Sequence, residues 1–226
     1  LWLWPLDPPA ARLASLAGHL DAAERDRAAR FRRPGLAEAF TAARGRLREV
    51  LALYRSDTPA ALRFDTGAHG KPMLAGGPHF NLSHSGGMAA LAVCEAEEIG
   101  LDIEAHRPVE PGVAARFFSP AERSELESLT GADWQAGFFN AWTRKEAVIK
   151  ALGLGLSMPL DGFDVTLAPG RPARLTRLAR PAERVEDWAL VPFAVAGDLP
   201  GAIALRAGTA RPRLRVRQGQ LRTTAG

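Results

Sequence analysis

The chain has a single cysteine, Cys94, in 226 residues, which excludes an internal disulfide and any zinc site built on thiolates. It has no uninterrupted apolar run of about 18 residues, so no segment is suited to cross a membrane as a helix. The opening Leu1-Trp2-Leu3-Trp4 is too short for a secretory signal and carries no charged segment ahead of it. It reads as a first β-strand, and the expected compartment is the cytoplasm. An excess of base over the body of the chain is missing as well. The formal net charge is +4, but residues 211–226 hold five arginines (Arg211, Arg213, Arg215, Arg217, Arg222) and no acid, and the rest has 24 basic against 25 acidic residues. Aromatic residues are not interleaved with these arginines, as a groove for single-stranded nucleic acid requires. The tail 211–226 is therefore expected to be a solvated, disordered end, and nucleic acid is not an expected partner.

What is present is an ordinary globular composition with alternating helix and strand signals. Asp21 with Glu24 forms an N-cap signal for a helix running to about Arg33, ahead of Pro34. Leu36, Phe40, Ala43, Leu47, Val50, Leu51 and Tyr54 recur at helical spacing. Residues 65–78 are rich in Gly and Pro and predict turns, with a short strand at Met73–Leu74. Met88–Cys94 predicts a buried strand and Ile99–Glu104 a half-buried one, with Glu95 to Glu98 suited to a hairpin between them. Ser119-Pro120-Ala121-Glu122 opens a short helix to about Leu129. Asp133 opens a longer one that ends near Leu152, with Gly153 as its stop. Strand-like alternation follows at 163–165, 188–190 and 202–205. Phe40-Thr41-Ala42-Ala43-Arg44 and Phe139-Asn140-Ala141-Trp142-Thr143 start the two long helices in similar fashion, a hint of two related halves.

Three segments carry chemistry. In Ile99-Gly100-Leu101-Asp102-Ile103-Glu104, period two puts Gly100, Asp102 and Glu104 on one face, with Gly100 expected to leave space beside Asp102. Two parallel carboxylates repel unless a cation lies between them, and magnesium suits such oxygen donors together with phosphate. A solvated face or a charge-guarded strand edge is the plainer alternative. On the second long helix Lys145 falls within the apolar stripe, where an ammonium must reach water or meet an anion. Glu146 and Lys150 flank that stripe at a spacing that also suits an ordinary ion pair. Phe80-Asn81-Leu82-Ser83-His84-Ser85-Gly86-Gly87 predicts a polar turn whose groups could meet phosphate oxygens. A Ser-His nucleophile pair is disfavoured there, since neighbours in sequence rarely face each other.

In this order the segments resemble the phosphopantetheinyl transferases of the surfactin-synthetase-activating type. The resemblance rests on Gly70-Lys71-Pro72, Phe80–Ser85, Ile99–Glu104, Arg116-Phe117-Phe118-Ser119, Trp142-Thr143-Arg144-Lys145-Glu146-Ala147 with Lys150, and Gly153 through Leu160. It covers about residues 20–165. It implies an α+β fold of two similar subdomains, 1–105 and 106–210, each a small, mostly antiparallel sheet on a long helix. It further implies a monomer that binds coenzyme A in the cleft between them. The implied reaction moves the 4′-phosphopantetheine arm to a serine of an apo-carrier protein (acyl or peptidyl) and releases adenosine 3′,5′-bisphosphate. By position Asp102, Glu104 and Glu146 match ligands of Mg2+, with Mn2+ an alternative, and Glu146 also matches the general base. Lys150 and Lys145 match cations at the diphosphate. Arg27, Lys71, Pro72, Ser83, His84, Asp102 and Lys150 match the coenzyme A site. Phe117 and Phe118 stand where the carrier docks or, equally, in a core, and Arg116 and Arg123 could steer an acidic carrier. The chain departs from the pattern around 34–41, where one extra residue puts Phe40 at a position usually small and polar. A magnesium-dependent nucleotide phosphohydrolase and a non-catalytic coenzyme A-binding protein remain the competing readings.

Overall fold

The computed structural model describes residues 1–67, 69–180, 183–195, 198–208 and 212–218. The N-terminal half runs β1 (Trp2–Pro5), α1 (Ala10–Ala17), α2 (Ala22–Ala29), α3 (Leu36–Ala52), β2 (Phe64–Thr66), β3 (Pro72–Leu74), β4 (His79–Ser85) and β5 (Met88–Cys94). The C-terminal half repeats that order with β6 (Ile99–Ile103), α4 (Val113–Phe117), α5 (Pro120–Glu127), α6 (Gly131–Leu152), β7 (Phe163–Val165), β8 (Leu175–Leu178), β9 (Trp188–Val195) and β10 (Leu199–Arg206). In both halves the first strand pairs antiparallel with the last, β1 with β5 and β6 with β10, and a small hairpin precedes the final one. The fold is α+β, as expected.

Strand alternation sorts the side chains into three cores. On β5, Ala89 and Leu91 face α3 with Leu47, Leu51 and Phe80. Ala90 and Ala92 face the other way, against Leu101, Ile103 and Ile203 of the second sheet. On β10, Ala202 and Ala204 join Phe138, Val148 and Phe163 around α6. The result is four layers, helix–sheet–sheet–helix, each sheet having one face toward its helix and one toward the other sheet. Among the described residues no helix is long and apolar enough to cross a membrane.

Both capping boxes form as expected: Asp21 with Glu24 opens α2, and Ser119 with Glu122 opens α5. Helix α6 closes on Gly153, whose φ of 65° is left-handed, but it opens at Gly131 rather than Asp133. Other expectations need correction. Met88–Cys94 and Ile99–Ile103 are not a hairpin: β5 lies between β1 and β4, so both its edges are taken, and residues 95–98 carry the chain to the other sheet. The polar Ser83–Ser85 segment is strand rather than turn. The turn is Gly86-Gly87, with φ of 56° and 76°, closing a two-residue hairpin between β4 and β5. Strand β6 is fully buried rather than half-buried, because α6 covers its polar face. Gly100 opens no space there. A Cβ on it would lie 1.9 Å from Ala147 O and 2.3 Å from Ala151 N, so glycine is what lets the helix backbone approach. The expected disordered tail is also corrected over 212–218. Leu1 donates its terminal amine to Arg215 O at 2.8 Å, and β11 (Arg217–Gln218) pairs parallel with β1. Arg211 and Arg222 lie outside the described residues.

Candidate active site

The acidic strand and the second long helix meet at Asp102. The residue is 4% exposed, and Oδ1 accepts from Lys150 Nζ at 2.6 Å and from Ser83 Oγ at 2.9 Å. Oδ2 is buried with no hydrogen-bond partner. Burial pushes the Asp102 carboxyl up to about 6, with Lys150 and Ser83 opposing the rise and Glu104 adding to it. Glu104, just past β6, accepts on Oε2 from Ser85 Oγ at 3.0 Å and from Arg107 Nη1 at 2.7 Å. Glu146 sits on α6 one turn before Lys150 and has no hydrogen bond or ion pair among the described residues. Burial raises its carboxyl above the ordinary range, Lys150 opposes this, and Glu104 raises it further. The ordinary Glu146–Lys150 pair therefore does not form; Lys150 turns to Asp102.

Of these groups Glu146, Lys150 and Ser85 line a cleft between the halves. One cavity of about 470 Å³ has Glu146, Lys150, Lys71, Pro72, Arg116 and Phe117 on its walls. A neighbouring one of about 610 Å³ has Arg27, Phe31, Phe40, His84 and Ser85, and both include Pro72 and Asn81. The aliphatic part of Lys71 faces Gly153, while its ammonium holds Glu98 Oε2 at 2.5 Å and Ile99 O at 3.1 Å. Phe40 fills its unusual position by packing on Phe31 (centroids 5.6 Å apart) beneath the Arg27 guanidinium at 5.2 Å.

Two expected site residues lie elsewhere. Lys145, expected beside a diphosphate, is 0% exposed, and its ammonium goes to Glu122 Oε2 at 2.8 Å, Leu160 O at 2.7 Å and Phe163 O at 2.5 Å. A buried ammonium needs such a full shell, which takes it away from the cleft. The Ser83 hydroxyl, expected at a phosphate, is turned to Asp102 instead. Phe118 is core, 2% exposed, whereas Phe117 lines the cleft and meets Trp142 edge-on. Sequence reasoning missed Glu122 as the partner of Lys145, since its capping role already accounted for it, and missed Arg107 and Glu98 altogether.

A family model described as the 4′-phosphopantetheinyl transferase superfamily matches residues 98–203, the stretch that holds Asp102, Glu104, Glu146 and Lys150. The 4′-phosphopantetheinyl transferase HetI of Nostoc sp. is 37% identical over 212 residues, 91% of this chain and 86% of that one. This chain belongs to the 4′-phosphopantetheinyl transferase superfamily. Another relative, the 4′-phosphopantetheinyl transferase Sfp of Bacillus subtilis, is 38% identical over 123 residues, 54% of each chain. Among solved structures, Thermotoga maritima holo-[acyl-carrier-protein] synthase matches with a TM-score of 0.37 and 16% identity, covering 48% of this chain and 61% of that one, too distant to add to the assignment.

For a transferase of this family the carboxylates form an incomplete but chemically apt donor set. Among the described residues no three His, Cys, Asp or Glu side chains already converge as a metal cage. Yet Asp102 carries a buried oxygen without a partner, and the charge of Glu104 adds to the cost of ionising Glu146. Such oxygen donors suit a hard divalent cation.

Proposed function

We propose that the cleft binds coenzyme A with its diphosphate against Asp102, Glu104, Glu146 and Lys150, and that the enzyme transfers the 4′-phosphopantetheine arm to a serine of an apo-carrier protein. The observation that carries this reading is the buried, unpartnered Asp102 Oδ2, whose other oxygen is held by Lys150 on the wall of a cleft that also presents Glu146, Lys71, Arg116 and Arg27. Arg27 and His84 in the second cavity suit the 3′-phosphate end of the donor, and Lys71 and Lys150 suit the diphosphate. Asp102, Glu104 and Glu146 would hold Mg2+. When bound, that ion supplies neutralising charge at the diphosphate oxygens.

The remaining chemistry belongs to the chain's own groups. The carrier serine Oγ attacks the phosphorus that bears the pantetheine arm. The bond from that phosphorus to the bridging oxygen breaks, and adenosine 3′,5′-bisphosphate leaves with the electron pair. Glu146, its carboxyl raised by burial, takes the serine proton, a role that contributes typically about 10²–10⁴-fold. Lys150 stays beside the growing charge, where a fixed cation in a partly dry site is most effective. Both walls of the cleft come from one chain, which supports a monomer, and the cytoplasm remains the proposed compartment.

Incubation with coenzyme A, Mg2+ and candidate apo-carriers, read by mass spectrometry, tests the reading. The expected result is one phosphopantetheine mass on a single carrier serine, with equimolar adenosine 3′,5′-bisphosphate. Cleavage of coenzyme A at the same rate without a carrier would identify a hydrolase instead.

A further inference from the structure

Strands β4 and β6 are edge strands of different sheets and share no backbone ladder. They nevertheless run side by side in a fixed register. The Leu101 N–H donates to Asn81 Oδ1 at 2.9 Å, the Ile103 N–H to Ser83 Oγ at 3.4 Å and the Ala105 N–H to Ser85 Oγ at 2.9 Å. Three alternate side chains of β4 thus stand in for the strand that the outer edge of β6 lacks. A serine hydroxyl accepts and donates at once, and here it does both. Ser83 gives its proton to Asp102 Oδ1 at 2.9 Å, and Ser85 gives its own to Glu104 Oε2 at 3.0 Å. Each serine grips the backbone of one residue in or just past β6 and the carboxylate of the residue before it. The third rung, Asn81, stands opposite Gly100 and has no carboxylate to hold.

We propose that Ser83 and Ser85 are positioning residues: each pins one oxygen of a carboxylate, Asp102 in β6 or Glu104 just past it, so that the other faces the cation. The serines belong to one half of the molecule and the carboxylates to the other, so cation affinity becomes a measure of how the halves are seated. This inference rests on the three-carboxylate metal reading above. The division of labour between oxygens supports it. On Asp102, Ser83 and Lys150 both hold Oδ1, and Oδ2 is left without a partner. On Glu104, Ser85 and Arg107 both hold Oε2. Without its serine a carboxylate regains side-chain rotation, and that loss of fixed orientation weakens cation binding.

The test is titration of Mn2+ into the full chain saturated with coenzyme A, following the free ion by electron paramagnetic resonance. Ser85→Ala should weaken Mn2+ binding about tenfold or more, the usual effect of losing a hydrogen bond behind a ligand. Ser85→Thr, which keeps the hydroxyl, should restore it. Wild-type affinity in Ser85→Ala, with Glu104→Ala defective, would overturn the positioning role and leave the metal site standing. If Glu104→Ala binds like wild type, the metal reading falls and this inference falls with it.

Discussion

The two long helices carry the same device and use it differently. In α3, Arg48 is 0% exposed, and its guanidinium reaches Glu24 Oε2 at 2.6 Å, Asp21 Oδ2 at 2.5 Å, Leu62 O at 3.0 Å and Pro59 O at 3.2 Å. In α6, Lys145 is equally buried and reaches Glu122, Leu160 O and Phe163 O. Both glutamates are the third residue of a capping box on the preceding short helix, and the carbonyls come from around the 3₁₀ turns at 59–61 and 160–162. A buried cation thus ties each long helix to its neighbours. The halves part at the next residue. Burial pushes Glu49 up, but hydrogen bonds from Arg12 and Arg46 outweigh it and hold its carboxyl low. Glu146 has no such partners and is raised. A shared frame is neutralised in one half, and in the other it presents to the cleft an acid whose carboxyl burial has raised.

The comparison breaks first if the two acids prove interchangeable. Glu146→Gln should cut carrier modification by about 10³-fold or more, the range expected for losing a general base that also serves a metal. Glu49→Gln should leave transfer at the wild-type rate, since that carboxylate is enclosed by arginines away from the cleft. Rates of carrier modification by mass spectrometry separate them, and similar losses in both would make the acid of α6 one more structural group. The cations should differ in degree. Lys145→Met strands the buried Glu122 and should cost about 3–5 kcal/mol in denaturant unfolding, whereas Arg48→Met leaves Glu24 paired with Arg44 and should cost less. Lys145→Met with Glu122→Gln should recover most of that loss. Wild-type stability in Lys145→Met, with transfer abolished, would return Lys145 to the chemistry.

Asp102 predicts a pH effect with no counterpart in the first half. Its carboxyl is raised from 3.8 to about 6 by burial. Between those values the folded state binds more protons than the unfolded one, so stability of the metal-free enzyme falls as pH rises through that window. The full change is on the order of 3 kcal/mol. Chemical unfolding in chelator at either end of the window, in wild type and Asp102→Asn, measures it. The asparagine variant should lose this part of the slope, and an unchanged slope would place the titration elsewhere.

Much of this was legible in the chain and some was not, for a physical reason. Capping boxes, the glycine stop at Gly153, β1, β3 and the repeated helix starts are local, and short-range hydrogen bonding writes them into neighbouring residues. The D-x-E strand and the Glu146–Lys150 spacing were readable as chemistry for the same reason. Failures occurred where a distant element decided the outcome. Gly100 looked like open space because nothing nearby shows that the α6 backbone lies on it. Ser83 and Ser85 looked like a turn because period-two polar alternation signals a strand only when one knows that β6 needs acceptors along its edge. Lys145 looked catalytic because its counter-ion, Glu122, already had a local explanation.

The smallest expected effect concerns how the acid-presenting half meets its macromolecular substrate. Arg116 is exposed at the mouth of the cleft with its guanidinium 5.1 Å from the Phe117 ring, well placed to draw in an acidic carrier helix. Arg123 is unsuited to the same test, because its Nε is buried without a hydrogen-bond partner, and a reversed charge there would disturb folding before it disturbed docking. Arg116→Glu should lower kcat/KM for the carrier by about tenfold at low salt, a modest share of the range over which steering acts. Steering acts through solvent, so the deficit should shrink as ionic strength rises and vanish near about 1 M, where the screening length is about 3 Å. A deficit that persists there would mean that Arg116 touches the bound carrier, and the cleft mouth would then select its partner by contact and not by field.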